Sequence, residues 1–546
     1  MKVNLFSYHR LKNKSQWDIV VLRYAIVWIL LSLLFLPGIL AGCNGTSTED
    51  TPLESPMRRT DSVMPAPTQA SVLSITFSPT LTASPTPTIQ APTQTFITAT
   101  SMATALLSTP SEKPITPGIY PVYWKEGAAY IVLPSGETQE LMHLYDQPVY
   151  VSDSGHSITY LDNDSRDTIP SPNGQIIAYL NLEDRLFYTY DIFSKVKLKI
   201  PQPQIIDFYS GSWSPDGKYL VYAINDDPLQ GFPSVFVADI AKNTYARITD
   251  WSGLETTPVW SPDGQWLAYA SDKFNAGLEG GRYTGVTDIY VARKKCVVKL
   301  ETCADSFITQ LTHTGTKGIA IDPMWNPDST NLAYIYADWQ TSGGDIYLVD
   351  LNGNIKNLTN SPEADEDAFS WSPDGKEIVF RRDGYSAGTD IFILNLSDGT
   401  TTQITNSSEI REGIPFWSPD GSEIAFDENV DSSNSGIAIY SVKEKQWQPL
   451  EGSNGGKFLF WLTVFPEISN GATLTVSPSG HNLNIRSEAS INASVIGKLQ
   501  SGDTFTILDQ PVENGQYTWW KIKSEQGEGW IAQNYNWVLP NPKANP

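Results

Sequence analysis

Glu255, Glu366 and Glu412 each stand five residues ahead of a tryptophan, at Trp260, Trp371 and Trp417. If the surrounding sequence repeats as a structure, the three carboxylates lie at one height, where each repeat enters a central channel. There they form part of an acidic mouth that favours a cationic peptide or a metal ion. Solvated loop acids are the other reading, and both stay open at this level.

Other chemistry is thinly supplied. A serine hydrolase needs a Gly-x-Ser-x-Gly elbow and a late histidine, and the chain contains no such elbow. The five histidines, His9, His143, His156, His313 and His481, show no metal-ligating spacing. The segment Leu161–Asp167, LDNDSRD, alternates acids like a calcium loop but lacks the turn glycine and the closing glutamate. The expectation is no enzyme, no cofactor and no metal. Cys296 and Cys303 close the stretch CVVKLETC, either as a local disulfide or as two free thiols.

The elements that must position these residues come from a repeat. Trp-Ser-Pro-Asp-Gly occurs at Trp213–Gly217, Trp260–Gly264, Trp371–Gly375 and Trp417–Gly421, with variants at Trp325–Ser329 and Pro170–Gly174. Ser-Pro-Asp-Gly suits a tight turn: proline presets φ, aspartate tolerates the next position and glycine supplies positive φ. Apolar runs such as YLVYA, WLAYA and EIVFR follow each copy, then DIYVA, DIYLVDL or DIFILNL, then a short run ending in RIT, QLT, NLT or QIT. Each unit is four short strands, the period of a β-propeller blade. The tryptophan has the bulk to fill the wedge between blades. The pentapeptide is therefore architecture.

The pattern P-x-W-S-P-D-G followed by D-I-Y and L-T resembles the TolB-like (PD40) class of WD40-type propellers, best at Pro258–Gly264 and Pro415–Gly421. The resemblance implies fold and leaves function open, since such propellers serve many roles. Six repeats predict six blades, or seven if the ends complete one another: AAYIVL at Ala128–Leu133 and ETQELM look like the last strands of a blade, and Lys457–Phe465 like a first. The C-terminal piece resembles a bacterial SH3 domain through LNIRS (483–487), VIGKL (495–499), Gly502, WKIK (520–523) and GWI (529–531). That family often binds peptidoglycan or wall peptides, and Tyr517, Trp519, Trp530 and Tyr535 are the aromatics expected near a groove, unless two of the four are simply core.

Ahead of the repeats, Lys2, Arg10, Lys12 and Lys14 precede the apolar run Ala25–Leu40, and Leu40-Ala-Gly-Cys43 resembles a bacterial lipobox, with a plain transmembrane anchor as the other reading. Residues 44–117 contain 38 Ser, Thr or Pro in 74, a composition that builds no core and predicts a disordered stalk. The net charge is −23, and residues 118–471 carry 48 acids against 24 bases, so nucleic acid is an unfavourable partner.

The resulting expectation is an all-β chain: signal peptide 1–43 with lipidation at Cys43, stalk 44–117, propeller 118–466 and SH3-like barrel 472–546. It would be a binding protein of the bacterial cell envelope, lipid-anchored on the extracytoplasmic side. The propeller's long-loop face would take a protein, peptide or glycan, and the SH3-like domain peptidoglycan or a partner. A membrane-to-wall tether and a propeller enzyme acting on sugars or peptides are the alternatives.

Overall fold

The computed structural model describes residues 115–143 and 168–541, apart from 182–183, 185, 204–206, 227–231, 250–252, 274–285, 316, 339–342, 363, 385–387, 407–410, 429–434, 467 and 516. The expected signal peptide with Cys43, nearly all of the stalk and the acidic segment Leu161–Asp167 lie outside the described residues. Among the described residues, seven four-stranded antiparallel sheets precede a C-terminal barrel. The propeller has seven blades. Of the two counts the sequence allows, six and seven, the structure has seven, because one blade is assembled from both ends of the domain and carries no pentapeptide. Lys457–Val464 is its first strand, Gly118–Lys125 its second, and Ala128–Val132 and Thr138–His143 its third and fourth. Gly118 pairs with Val464 and Tyr120 with Leu462, which closes the ring. We number this blade one.

Blades two to seven each run through consecutive strands. Their first strands are Thr168–Pro170, Asp207–Trp213, Glu255–Trp260, Gly318–Trp325, Asp365–Trp371 and Phe416–Trp417. The tight turn that follows is built alike in blades three, four, six and seven. Ser214 Oγ donates to Asp216 Oδ1 at 2.6 Å and accepts from Tyr219 N at 2.9 Å. Ser261, Ser372 and Ser418 repeat the serine–aspartate bond. The turn glycines have positive φ, +67° at Gly264. A Cβ there would stand 3.5 Å from Pro215 of the preceding blade, so neighbouring turns stack into a ring. In blade five Ser329 replaces glycine, and its hydroxyl accepts from Asp263 N of blade four at 3.0 Å.

The tryptophans fill the wedges. Trp213, Trp260, Trp325, Trp371 and Trp417 are all buried. Trp325 Nε1 donates to Val259 O and Trp371 Nε1 to Met324 O, both at 3.2 Å, so an indole locks each of these blades to the one before. Trp461 Nε1 does the same for blade one, donating to Phe416 O at 3.0 Å. Truncating such an indole to alanine costs about 3–5 kcal/mol.

Cys296 and Cys303 form a disulfide, with Cα atoms 5.5 Å apart. It closes the insert after the third strand of blade four and packs in one cluster with Trp260 and Val297.

Strands Thr473–Val476, Leu483–Arg486, Val495–Leu499, Thr504–Ile507, Tyr517–Ser524, Gly527–Ala532 and Val538–Pro540 build the barrel, around Leu474, Ile485, Leu499, Phe505, Trp520, Ile522 and Ile531. The barrel is seated on the tight-turn face of the propeller. Asn534 Nδ2 donates to Pro262 O at 2.6 Å, Gln265 Nε2 to Tyr517 Oη at 3.1 Å, and Lys218 Nζ to Thr518 Oγ1 at 3.3 Å. Its last strand also touches both closing strands of blade one. It therefore engages blades one, three and four.

Candidate functional site

With the barrel on one face, the connections after second and fourth strands form the other. Each predicted glutamate lies at a blade junction of that face. Their exposures are 1 % for Glu255, 0 % for Glu366 and 3 % for Glu412. The reading as solvated loop acids is therefore corrected. The carboxylates of Glu255 and Glu366 are drawn back against the chain arriving from the preceding blade. Thr249 Oγ1 donates to Glu255 Oε2 at 3.2 Å. Ser361 Oγ donates to Glu366 Oε1 at 2.5 Å, and Arg382 Nε to the same oxygen at 2.6 Å. Burial pushes the Glu366 carboxyl above its ordinary value, and the bonds from Ser361 and Arg382 pull the other way.

Glu412 has different surroundings. With Glu428, Trp447 and the segment Gln403–Asn406, it lines a cavity of about 450 Å³ between blades six and seven. Nearby carboxyls also carry raised pKa values. Burial pushes Asp427 up to about 7, against a 2.6 Å hydrogen bond donated by Phe458 N, and pushes Asp365 up to about 6. Among the described residues, no cluster of three or more His, Cys, Asp or Glu could hold a metal ion, and no helix is long and apolar enough to cross a membrane.

The predicted groove aromatics divide. Trp519 is 1 % exposed and cannot meet a ligand in this arrangement. Tyr517 faces the propeller, bonded to Gln265 and with Lys294 Nζ 6.0 Å from its ring centroid. Tyr535 packs on Phe465 with ring centroids 5.4 Å apart. Their placement together in an open groove is therefore corrected, because docking and core packing take up three of the four. Trp530 is half-buried, in register between Arg486 and Lys521. The interface was missed because its propeller side consists of polar turn residues that look like ordinary surface.

Seven four-stranded blades with this turn chemistry, followed by this barrel, agree with two family models, which match residues 285–456 and 481–535. The first span matches the model of a TolB beta propeller domain and the second that of a bacterial SH3 domain. A TolB-like propeller joined to a bacterial SH3 domain points to a binding or envelope-associated role, through protein or cell-wall interactions. No curated protein matches the chain.

Similar solved structures include TolB from Acinetobacter baumannii, at 17% identity over 63% of this chain and 82% of that one, with a TM-score of 0.36. A puromycin-hydrolyzing peptidase from Mycobacterium tuberculosis is 12% identical over 72% of this chain and 57% of that one, TM-score 0.42. An oligogalacturonate lyase from Vibrio parahaemolyticus is 11% identical over 61% and 86%, TM-score 0.40. Identities this low speak to fold alone. The expectation that the chain is not an enzyme is corrected here, since two of these three neighbours are enzymes and the fold does not set the chain apart from catalysts.

Proposed function

We propose that this is a lipid-anchored binding protein of the bacterial cell envelope, exported and acylated at Cys43 on the extracytoplasmic side. Its TolB-like propeller captures a protein, peptide or glycan at the long-loop face, and its SH3 domain contacts cell wall or a partner. One observation carries the reading. The SH3 domain occupies the tight-turn face, which leaves the long-loop face, with its 450 Å³ cavity, as the surface open to a ligand. Variable loops on a rigid scaffold are where recognition concentrates. The excess of acids over bases in residues 118–471 favours cationic partners, screened over about 8 Å at physiological salt.

Anchoring is tested by labelling with a fatty-acid probe: Cys43→Ser should lose the label and leave the signal uncleaved, and unchanged labelling removes the anchor. Wall contact is tested by sedimenting the full chain with purified sacculi. Trp530→Ala should weaken that association several-fold, since the other three aromatics are engaged elsewhere. A wild-type chain that stays in the supernatant rules out the wall role and leaves a protein partner.

A further inference from the structure

Between Asp191 and Asp207 the chain carries three lysines, Lys195, Lys197 and Lys199, and no acid, inside a domain with twice as many acids as bases. Ile192–Val196 is the connection after the third strand of blade two, and Lys197–Lys199 is its fourth strand, the outer edge of the blade. Every residue from Phe193 to Lys199 is exposed. Leu198 at 61%, Phe193 at 51% and Val196 at 48% are the three most exposed large apolar side chains among the described residues of the propeller.

The charges of this patch are ordered. Lys197 Nζ lies 3.9 Å from the Tyr188 ring centroid and 5.5 Å from that of Tyr179, and Lys195 Nζ donates to Leu141 O of blade one at 3.4 Å. Nearby acids are engaged within the blade. Asp191 accepts from Gln175 Nε2 at 2.7 Å and from the amides of Phe193 and Ser194 at 2.9 Å, and Asp184 accepts from Tyr188 Oη at 2.5 Å. Lysines alone on an edge strand guard against pairing with another edge. Apolar side chains held out among them do not serve that purpose, and mark a surface that meets a partner.

The place of the patch points to which partner. The tight turn of blade two abuts the first strand of blade one so closely that a Cβ on Gly174 would stand 1.6 Å from Thr463 O. Ile192 N donates to Gln175 O at 2.9 Å, which ties the patch to that turn. Thr463 pairs with Ile119 and Val464 with Gly118. The chain leading from Cys43 therefore enters the propeller on the same face as the patch, at the adjoining blade.

We propose that this edge of blade two docks on an anionic lipid surface, the membrane to which the chain is attached. The proposal rests on the membrane attachment proposed above. Phe193, Val196 and Leu198 enter the boundary between headgroups and acyl chains, and the lysines meet the headgroup phosphates. Acids elsewhere on the propeller are screened over about 8 Å, so the lysines at the contact decide its sign. An acidic protein would use the lysines and gain nothing from the apolar side chains between them. Docked in this way, the propeller turns its long-loop face away from the membrane.

The test incorporates the full chain into vesicles of phosphatidylglycerol with phosphatidylcholine, or of phosphatidylcholine alone, with a benzophenone photo-crosslinker in place of Leu198. A second preparation carries the crosslinker in place of Ile355, which is 47% exposed on the fourth strand of blade five. Lipid adducts at position 198 should be at least about fivefold more abundant in the anionic vesicles, the scale of one lysine at a charged surface. Position 355 should give few in either. Lys197→Gln with Lys199→Gln should remove the preference for anionic vesicles, and Phe193→Ser should lower the yield several-fold, with the melting temperature unchanged in both.

Equal yields in the two vesicles, or at the two positions, overturn the docking while flotation with the vesicles still upholds the attachment. A chain that floats with neither vesicle overturns the attachment and the docking together. Protein adducts in place of lipid adducts at position 198 in native membranes overturn the assignment to lipid.

Discussion

Replacing Arg382 by methionine tests how buried charge is managed at these junctions. Glu366 is fully buried, whereas the Arg382 side chain is 24% exposed. Removing the cation strands a carboxylate that keeps only the hydrogen bond from Ser361. Breaking a buried pair in this way costs about 3–5 kcal/mol, and water access from the arginine side favours the lower end, about 3 kcal/mol. Large domains lose about 2 °C per kcal/mol, so the melting temperature should fall by roughly 6 °C near neutral pH. The sign of the pH dependence follows from the carboxyl. Burial raises its folded pKa, and losing Arg382 raises it further. The folded state then holds a proton that the unfolded chain has released, so stability is lost as pH rises. The deficit should be smaller at about pH 5 than at about pH 8, and Glu366→Gln with Arg382→Met should recover most of it. Thermal unfolding of the two single variants and the double variant at both pH values measures this. A loss below about 1 kcal/mol, or one that is equal at both pH values, refutes the reasoning.

Asp427, pushed up to about 7, should make the protein lose stability as pH rises through the interval between the ordinary aspartate range and 7. Asp427→Asn should flatten that slope in a melting series, and an unchanged slope counts against the buried proton. Gly264→Val puts a β-branched residue at φ +67° facing Pro215, and should cost about 1–2 kcal/mol in denaturant unfolding without altering the fold. Asn534→Ala with Tyr517→Ala should loosen the SH3 domain from the propeller. Hydrogen exchange would then rise at the Ser261–Gly264 turn while the barrel core keeps its protection, and unchanged exchange at the turn would show that the interface depends on other contacts.

Blades three to seven were legible in the sequence because each carries its own turn chemistry and its own tryptophan, repeated at intervals of 46 to 65 residues. Blade one was only half legible. Its third and fourth strands and its closing first strand stood out, but Gly118–Lys125 contains Pro121 and no turn signal, and its partner lies more than three hundred residues away. The disulfide was one of two open readings, since spacing alone does not fix thiol geometry. The three glutamates were found by spacing and misjudged as to surroundings, because period gives position along the axis and says nothing about what a neighbouring blade places over it. Only a comparison of blades six and seven distinguishes Glu366, which pairs with Arg382, from Glu412, which lines a cavity together with Glu428. The seat of the SH3 domain left no trace in hydrophobic pattern, since Lys218, Pro262 and Gln265 serve it from turns already explained by the repeat.

The closure of blade one also has a mechanical consequence. The strand beginning at Gly118 and the strand ending at Val464 run antiparallel, with those two ends side by side. A pull between the chain ahead of Gly118 and the chain beyond Val464 acts on one end of a single ladder. It peels the hydrogen bonds in turn, because this geometry prevents them from sharing the load in shear. The other six blades carry almost none of that force until the peel is complete. Pulled between its two attachments, the propeller should therefore yield at its seam first, opening the ring at blade one while each remaining blade is still folded.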